Sequence, residues 1–449
     1  MNSSKNSFLA LVLVLSAAGC RPLCEPMEGP DDGGPGAGET TSVSVGSIEY
    51  LRHTVDLGAC GAAYVQVSDV DADGAADLVV SRYGRASGML PAGEVVLYRN
   101  EGAPGAWSRE PILSAEEEVV FPAETATADL DQDGDLDVVV STGWFICGVV
   151  PGTSPCGGML VYEQTESGWT RHDLVPPENE RFFHTAQLAD FDGDGLLDLM
   201  TVGETWGGDD ESGTATVLLY GGKPSAPWFS SEPHELATGL GSIPNLADLD
   251  GDGDLDLYGA QYFQWGASFA WLEQVAAPTD STDPGTWAYH VIDDGVGKSI
   301  DLQLVPDLRG AGPMLVGTNH TNTTDNEGDP ASGIFAFAPA ADPTLPWSRE
   351  KLSAEIVSGT GVGAGAPGVF GHGDVDGDGD VDLLVSGDGA PEVYLLEQTE
   401  DGTFDQHVLE EDLGQAGGMK IVDLDGDDIP ELITTGYEVD ALYVYERVD

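Results

Sequence analysis

One nine-residue pattern returns along this chain at a step of about sixty residues, and it restricts the possible folds more than any other feature. Its copies read Asp69-Val-Asp71-Ala-Asp73-Gly74-Ala-Ala-Asp77, Asp129-Leu-Asp131-Gln-Asp133-Gly134-Asp-Leu-Asp137 and Asp190-Phe-Asp192-Gly-Asp194-Gly195-Leu-Leu-Asp198. Three more follow: Asp248-Leu-Asp250-Gly-Asp252-Gly253-Asp-Leu-Asp256, Asp374-Val-Asp376-Gly-Asp378-Gly379-Asp-Val-Asp382 and Asp423-Leu-Asp425-Gly-Asp427-Asp428-Ile-Pro-Glu431. The interval from 248 to 374 is twice the usual step, so another copy is expected near 307. The segment Pro306 to Leu315 keeps the glycines and the apolar rhythm there, with Arg309, Ala311 and Leu315 in place of carboxylates.

A second landmark shares the period: an aromatic residue opens a short strand and His or Glu follows three places on. Instances are Tyr50 with His53, Trp107 with Glu110, Trp169 with His172, Trp287 with His290, Trp347 with Glu350 and Phe404 with His407; Trp228 with His234 is a looser case. An apolar run such as Val138-Val139-Val140 follows each Asp loop, and an alternating strand such as Met159-Leu160-Val161-Tyr162 comes next. With the strand leading into the loop, each unit holds four strands, and seven units predict an all-β, seven-bladed β-propeller of antiparallel blades. The chain opens with an aromatic strand (about Ile48 to Asp56) and ends on a third strand (Ala441 to Glu446). The N-terminal strand is therefore expected to complete the last blade as its outermost strand, leaving no open edge.

Oxygen ligands at positions one, three, five and nine, with Gly usually at six, repeat the logic of a calcium loop. Carboxylates crowded this way repel one another and imply a cation. The absence of His and Cys from these positions disfavours zinc and copper, and the number of oxygens favours calcium over magnesium. About six calcium sites are expected, with the unit near 307 metal-free and a structural role for the metal. On these motifs the chain resembles the FG-GAP or VCBS-type repeat proteins, which include integrin α-subunit propellers and many bacterial surface proteins. The resemblance covers roughly residues 48–449. It implies Asp loops on one face and ligand contacts on the other. The dipeptide that names the family is sporadic, as in Phe370-Gly371, so integrin-like ligand binding does not transfer.

Residues 1–19 read as an export signal, with Lys5, an apolar stretch from Phe8 to Ala18 and small residues before Cys20. The segment resembles a bacterial lipoprotein signal, in which Cys20 is the lipidated residue, though Ala17 stands where that family prefers Leu; ordinary secretory cleavage near Ala18 is the alternative. Residues 20–47 are expected to be a flexible linker, poor in large apolar side chains. In an oxidising compartment Cys147 and Cys156 are expected to staple one loop, and Cys24 with Cys60 is a weaker pairing. Acidic residues number 79 against 16 Lys and Arg, a net charge of −63 that excludes nucleic acid as a partner. Binding of six divalent ions would still leave about −51 of that charge, by −63 + 12.

Enzyme motifs fail on inspection. His234-Glu235 begins like a zinc-protease helix but has Thr238 where the second His belongs, and Gly363 to Gly368 fits a dinucleotide fingerprint by letter only, with Pro367 inside it. The loops between second and third strands vary most and carry Tyr83, Arg85, Trp144, Phe145, Trp206, Tyr262, Phe263, Trp265, His320 and Asn322. Trp144, Trp206, Tyr262, Trp265 and His320 are the candidate ligand-face residues, suited to a sugar ring or a protein partner; packing between blades is the plainer role. The expected protein is thus an exported, lipid-anchored, monomeric and non-enzymatic binding or adhesion module at a bacterial outer membrane or cell surface, touching membrane only through its lipid. A secreted or periplasmic location is the alternative. A lectin or a polysaccharide-active enzyme on the same ring is the other functional reading, with His184 or His372 beside a carboxylate as the catalytic pair to look for.

Overall fold

A computed structural model describes residues 36–84, 92–103, 105–143, 147, 154–205, 214–241, 243–262, 268–279, 283–325, 328–359 and 365–448. Seven antiparallel sheets follow one another along the chain. Blade 1 comprises Ala62–Ser68, Asp77–Arg82, Glu94–Ala103 and Ala106–Leu113, and blade 2 Pro122–Ala128, Asp137–Thr142, Gly157–Thr165 and Gly168–Asn179. Blade 3 holds Phe182–Phe183 and Gln187–Ala189, both paired to Asp198–Thr205, then Thr214–Tyr220 and His234–Thr238. Blade 4 runs Asn245–Ala247, Asp256–Ala260, Phe269–Ala276 and Thr286–Asp293; blade 5 runs Ser299–Val305, Met314–Asn319, Ile334–Ala338 and Ser348–Lys351. Blade 6 is built from Phe370–Gly373, Asp382–Ser386, Val393–Gln398 and Phe404–Glu410.

Blade 7 takes Ala416–Val422, Glu431–Gly436 and Ala441–Arg447 from the end of the chain and Ile48–Asp56 from its beginning. Tyr50 pairs with Arg447 and His53 with Val444, the expected closure. Two details differ from expectation. The strand Thr40–Val45 pairs outside Ile48–Asp56 as a fifth member, so Ile48–Asp56 is not outermost, and the linker gives way to ordered structure before Ser47. Val43 and Val45 alternate with hydroxyl residues and pack on the core shared by blades 6 and 7, which covers an edge that would otherwise stay unpaired.

The core lies between blades. Leu78 and Val80 face blade 7 while Val79, on the other side of the same strand, faces blade 2, as period-two alternation requires. Seven apolar clusters result, one at each seam, and the last of them joins Leu78 and Val96 to Ile433, Leu442 and Val444. Hydroxyls stitch the same seams: Thr435 donates to the Ala63 carbonyl at 2.8 Å, Ser386 to that of Ala416 at 2.7 Å, and Ser81 to that of Ala123. His234-Glu235 lies in a strand, not a helix, while residues 360–364 of the glycine-rich stretch lie outside the described residues. Among the described residues no helix is long and apolar enough to cross a membrane.

Candidate metal centres and the opposite face

Each Asp loop joins the first strand of a blade to the second, so the loops share one face of the ring. The backbone turns by placing position six in the left-handed region, at φ of 96° for Gly74 and 104° for Gly134. Asp428 takes the same turn at 67° in the last loop, a conformation Asp tolerates. Position four is left-handed too, including Ala72 and Gln132, which the pattern of carboxylates did not signal.

Side chains then close the loop upon itself. The position-one carboxylate accepts the N–H of position six, as Asp69 does from Gly74 at 3.1 Å and Asp423 from Asp428 at 3.0 Å. Position five accepts the N–H of position seven, as Asp73 does from Ala75 at 2.8 Å. Position nine is buried and binds twice, Asp77 accepting from Val70 and from Asn100 on the third strand, both at 2.9 Å. Glu431 accepts from Leu424 at 2.8 Å, so the longer side chain of the last loop reproduces the first of these bonds.

The carboxylates converge as a cation requires. Oxygens of Asp69, Asp71 and Asp77 all lie within 4.8 Å of one another, and so do those of Asp129, Asp131 and Asp133, and of Asp190, Asp192 and Asp194. The sets Asp248, Asp250, Asp256 and Asp374, Asp376, Asp382 meet the same limit. Calcium–oxygen distances of about 2.3–2.6 Å place shell oxygens up to about 5 Å apart, so these all-oxygen sets fit a calcium ion. Asp252, Asp378 and Asp427 hold position five of their loops. In blade 5 Asp307 caps Gly312 at 2.8 Å, and Arg309 turns its guanidinium to Glu350 at 2.7 Å.

Burial, more than mutual repulsion, sets the charge on position nine. It pushes Asp77, Asp137 and Asp198 up to about 6, and Asp256, Asp382 and Glu431 up to about 7, with neighbouring carboxylates adding to the effect. Burial opposes the shift of Asp423, yet the N–H groups of Asp428, Gly426 and Asp427 hold that carboxyl low.

The recurring His of the outer strand has a structural role, as its place in the repeat suggests, with carboxylate partners on the third strand that the spacing alone did not name. His172 meets Glu163 at 2.8 Å, His290 meets Glu273 at 2.6 Å, His53 meets Glu446 at 2.8 Å and His407 meets Glu397 at 3.6 Å. Each pair sits on one face of its sheet, diagonal across the third and fourth strands. The residue after that Glu clasps the preceding blade: Gln164 donates to the Val70 carbonyl at 3.3 Å and Arg447 to that of Val375 at 3.0 Å. Asn100, at the same place in blade 1, donates to the Leu424 carbonyl of blade 7 at 3.1 Å. The dipeptide Glu-Gln at 163, 273 and 397 was the signal available.

On the face away from the Asp loops, Tyr262 and His320 come together with ring centroids 5.4 Å apart. His320 Nε2 lies 3.8 Å from Asp388, and Lys298 stands 5.7 Å over the Tyr262 ring. Tyr83 packs edge-on to Phe121, Tyr437 and Tyr64 at 4.9, 5.7 and 6.4 Å, so it serves the seams of blades 7, 1 and 2. Tyr83, Tyr262, His320 and Asp388 each follow the second strand of their blade, so all four lie on that face. His184 Nδ1 lies 3.0 Å from Glu204 Oε2, and burial, partly offset by the charge of Lys420, pushes Glu124 up to about 7. His372 is lowered by burial and by Lys420, with no carboxylate paired to it among the described residues. Trp144, Trp206, Trp265, Cys20 and Cys24 lie outside the described residues. Cys147 and Cys156 form the expected disulfide, Cα atoms 5.6 Å apart, and Cys60 is also disulfide-bonded.

Three segments, residues 69–140, 190–259 and 374–434, match the FG-GAP-like repeat family. Among solved structures, an Agrocybe aegerita lectin described as recognising non-reducing terminal N-acetylglucosamine is 15% identical, with 87% of this chain and 86% of that chain covered and a TM-score of 0.46. An α-L-arabinofuranosidase from Fusarium graminearum is 12% identical, covering 73% of this chain and 92% of that one, with a TM-score of 0.43. A Penicillium chrysogenum α-L-arabinanase is 12% identical over 73% of this chain and 93% of that one, at 0.42. No match is found among curated proteins.

Proposed function

We propose, from FG-GAP-like repeats carried on a closed seven-bladed ring, that this chain is an exported, calcium-stabilised binding module, anchored by lipid on Cys20, whose ligand docks on the face away from the metal. The observation that carries the reading is the set of oxygen cradles gathered on one face. They are built from backbone-braced carboxylates, and they leave the opposite face, where Tyr262, His320 and Asp388 gather, for a ligand. Calcium supplies positive charge to loops that fold with part of their own charge suppressed, and so stabilises the folded form over the unfolded one. An aromatic ring beside a His–Asp pair suits a glycan or the side chains of a protein partner.

The test has two arms. Chelation of metal from the purified chain is expected to lower the melting temperature by ten degrees or so, roughly 8 kcal/mol for a ring of about 400 residues; an unchanged melting curve removes structural calcium. A glycan array with the metal-loaded protein is expected to give binding that Tyr262→Ala and His320→Ala weaken together, with the bound sugar recovered intact.

A second reading, a polysaccharide-active enzyme, is favoured by the His184–Glu204 pair and the Glu124 carboxyl at about 7. Release of shortened sugar that His184→Ala abolishes, at unchanged melting temperature, would establish it in place of the first.

A further inference from the structure

The aspartate loops differ in what the third strand sets beside them. In blades 2, 4, 6 and 7 that residue is Glu163, Glu273, Glu397 and Glu446, each held by the His of the fourth strand. Glu163, Glu273 and Glu446 lie close enough to Asp131, Asp250 and Asp425 for their charges to repel, so negative charge is added at position three. Blade 1 reverses the pair. Arg99 occupies the place of the Glu, with Glu110 in the place of the His, at 3.0 Å. The other arm of the guanidinium reaches the position-three carboxylate, Asp71 Oδ2, at 2.9 Å. Glu110 is itself fixed by the indole N–H of Trp169 from blade 2 at 3.0 Å, so the Arg99 fork is braced at both ends. Blade 5 pairs the same elements differently: Arg309 stands at position three of the repeat and binds Glu350 of its fourth strand.

We propose that Arg99 is a built-in cation for the first loop, so that Asp69 to Asp77 binds calcium more weakly than the loops of blades 2, 4, 6 and 7. This rests on the calcium reading above. An ion entering the loop must either displace a guanidinium held by two carboxylates or sit beside it. Either way it meets a positive charge where its counterparts meet a negative one. The blade is thereby held together without metal on the side that meets blade 2.

Equilibrium dialysis of the metal-free mature chain against calcium alone, with bound ions counted by elemental analysis, tests this. The variants are Arg99→Gln and the paired exchange Arg99→Glu with Glu110→His. At a free calcium level that fills the tight loops, both variants are expected to hold one more ion than the parent. Adding Asp69→Asn is expected to remove that ion from the variants and to leave the parent unchanged. The affinity of the first loop is expected to rise tenfold or more, roughly the effect of exchanging one charge at this range. The reverse exchange in blade 2, Glu163→Arg with His172→Glu, is expected to cost one ion, and it guards against misfolding of the first set. Loss of one ion from the parent on Asp69→Asn, with no gain on changing Arg99, would overturn the proposal. Absence of bound calcium from every variant and from the parent would remove the calcium reading itself, a separate result.

Discussion

A carboxylate at position nine must bridge a loop and a strand while buried under both, and its protonation follows from that. Its ordinary value near 3.8 is pushed up to about 6 for Asp77 and about 7 for Asp256. A carboxyl raised on folding binds more protons folded than unfolded, so the metal-free protein loses stability as pH rises from about 4 to about 7 and levels off above. Calcium competes with those protons and keeps the carboxyls ionised, as they are in the unfolded chain, so the calcium-loaded protein is expected to hold its stability nearly level between about pH 5 and 7. The stability gained from calcium therefore shrinks as pH falls through 7 to 6, and calcium uptake should release protons, measurable as buffer-dependent heat in calorimetry. Melting curves at pH 4.5 and 7.5, with and without chelator, check both signs. These aspartates were legible from spacing alone, since alternate oxygens about one turn are what a hard cation needs. The left-handed Ala72 and Gln132 were not, because nothing in those residue types announces a positive φ.

Strand by strand, the molecule repeats a small set of contacts, and the clasp between neighbours is the most exposed to mutation. Asn100 Nδ2 and the Leu424 carbonyl are buried together at the seam of blades 1 and 7. Asn100→Ala is expected to cost about 1–3 kcal/mol by leaving that carbonyl without a partner, seen as a lower denaturant midpoint at unchanged slope. At the same seam a side chain on Gly417 would run into the Ala63 backbone, so Gly417→Ala should destabilise by about 1–3 kcal/mol. Blade number, strand order and the aromatic strand openings were readable because apolar alternation and turn residues repeat with the period. The strand Thr40–Val45 was not, since Ser and Thr with two valines resemble a solvated linker until an edge is present to pair with. Trp228 likewise sits outside its blade's outer strand, buried in a turn at φ 62° against His172, so the looser spacing there reflected a real change of role.

At the scale of the whole ring, the two ends of the chain share one sheet and the cores lie at the seams, so no blade has a complete core alone. Removal of residues 1–56 is expected to uncover Ala441–Arg447, lower the melting temperature by well over ten degrees and promote association, read by light scattering. How the candidate residues opposite the Asp loops meet was only partly legible. Tyr262 and His320 do meet, but variable loops carry no period from which such a meeting could be foreseen. The pairing of Tyr50 with Arg447 also sets an order of events. As the polypeptide grows, the earliest-made hairpin finds its neighbour only when the final one emerges, nearly four hundred positions later. Until then it must stay unmated, so folding of this protein is a slow, late-committing process that a holding chaperone would be expected to shepherd.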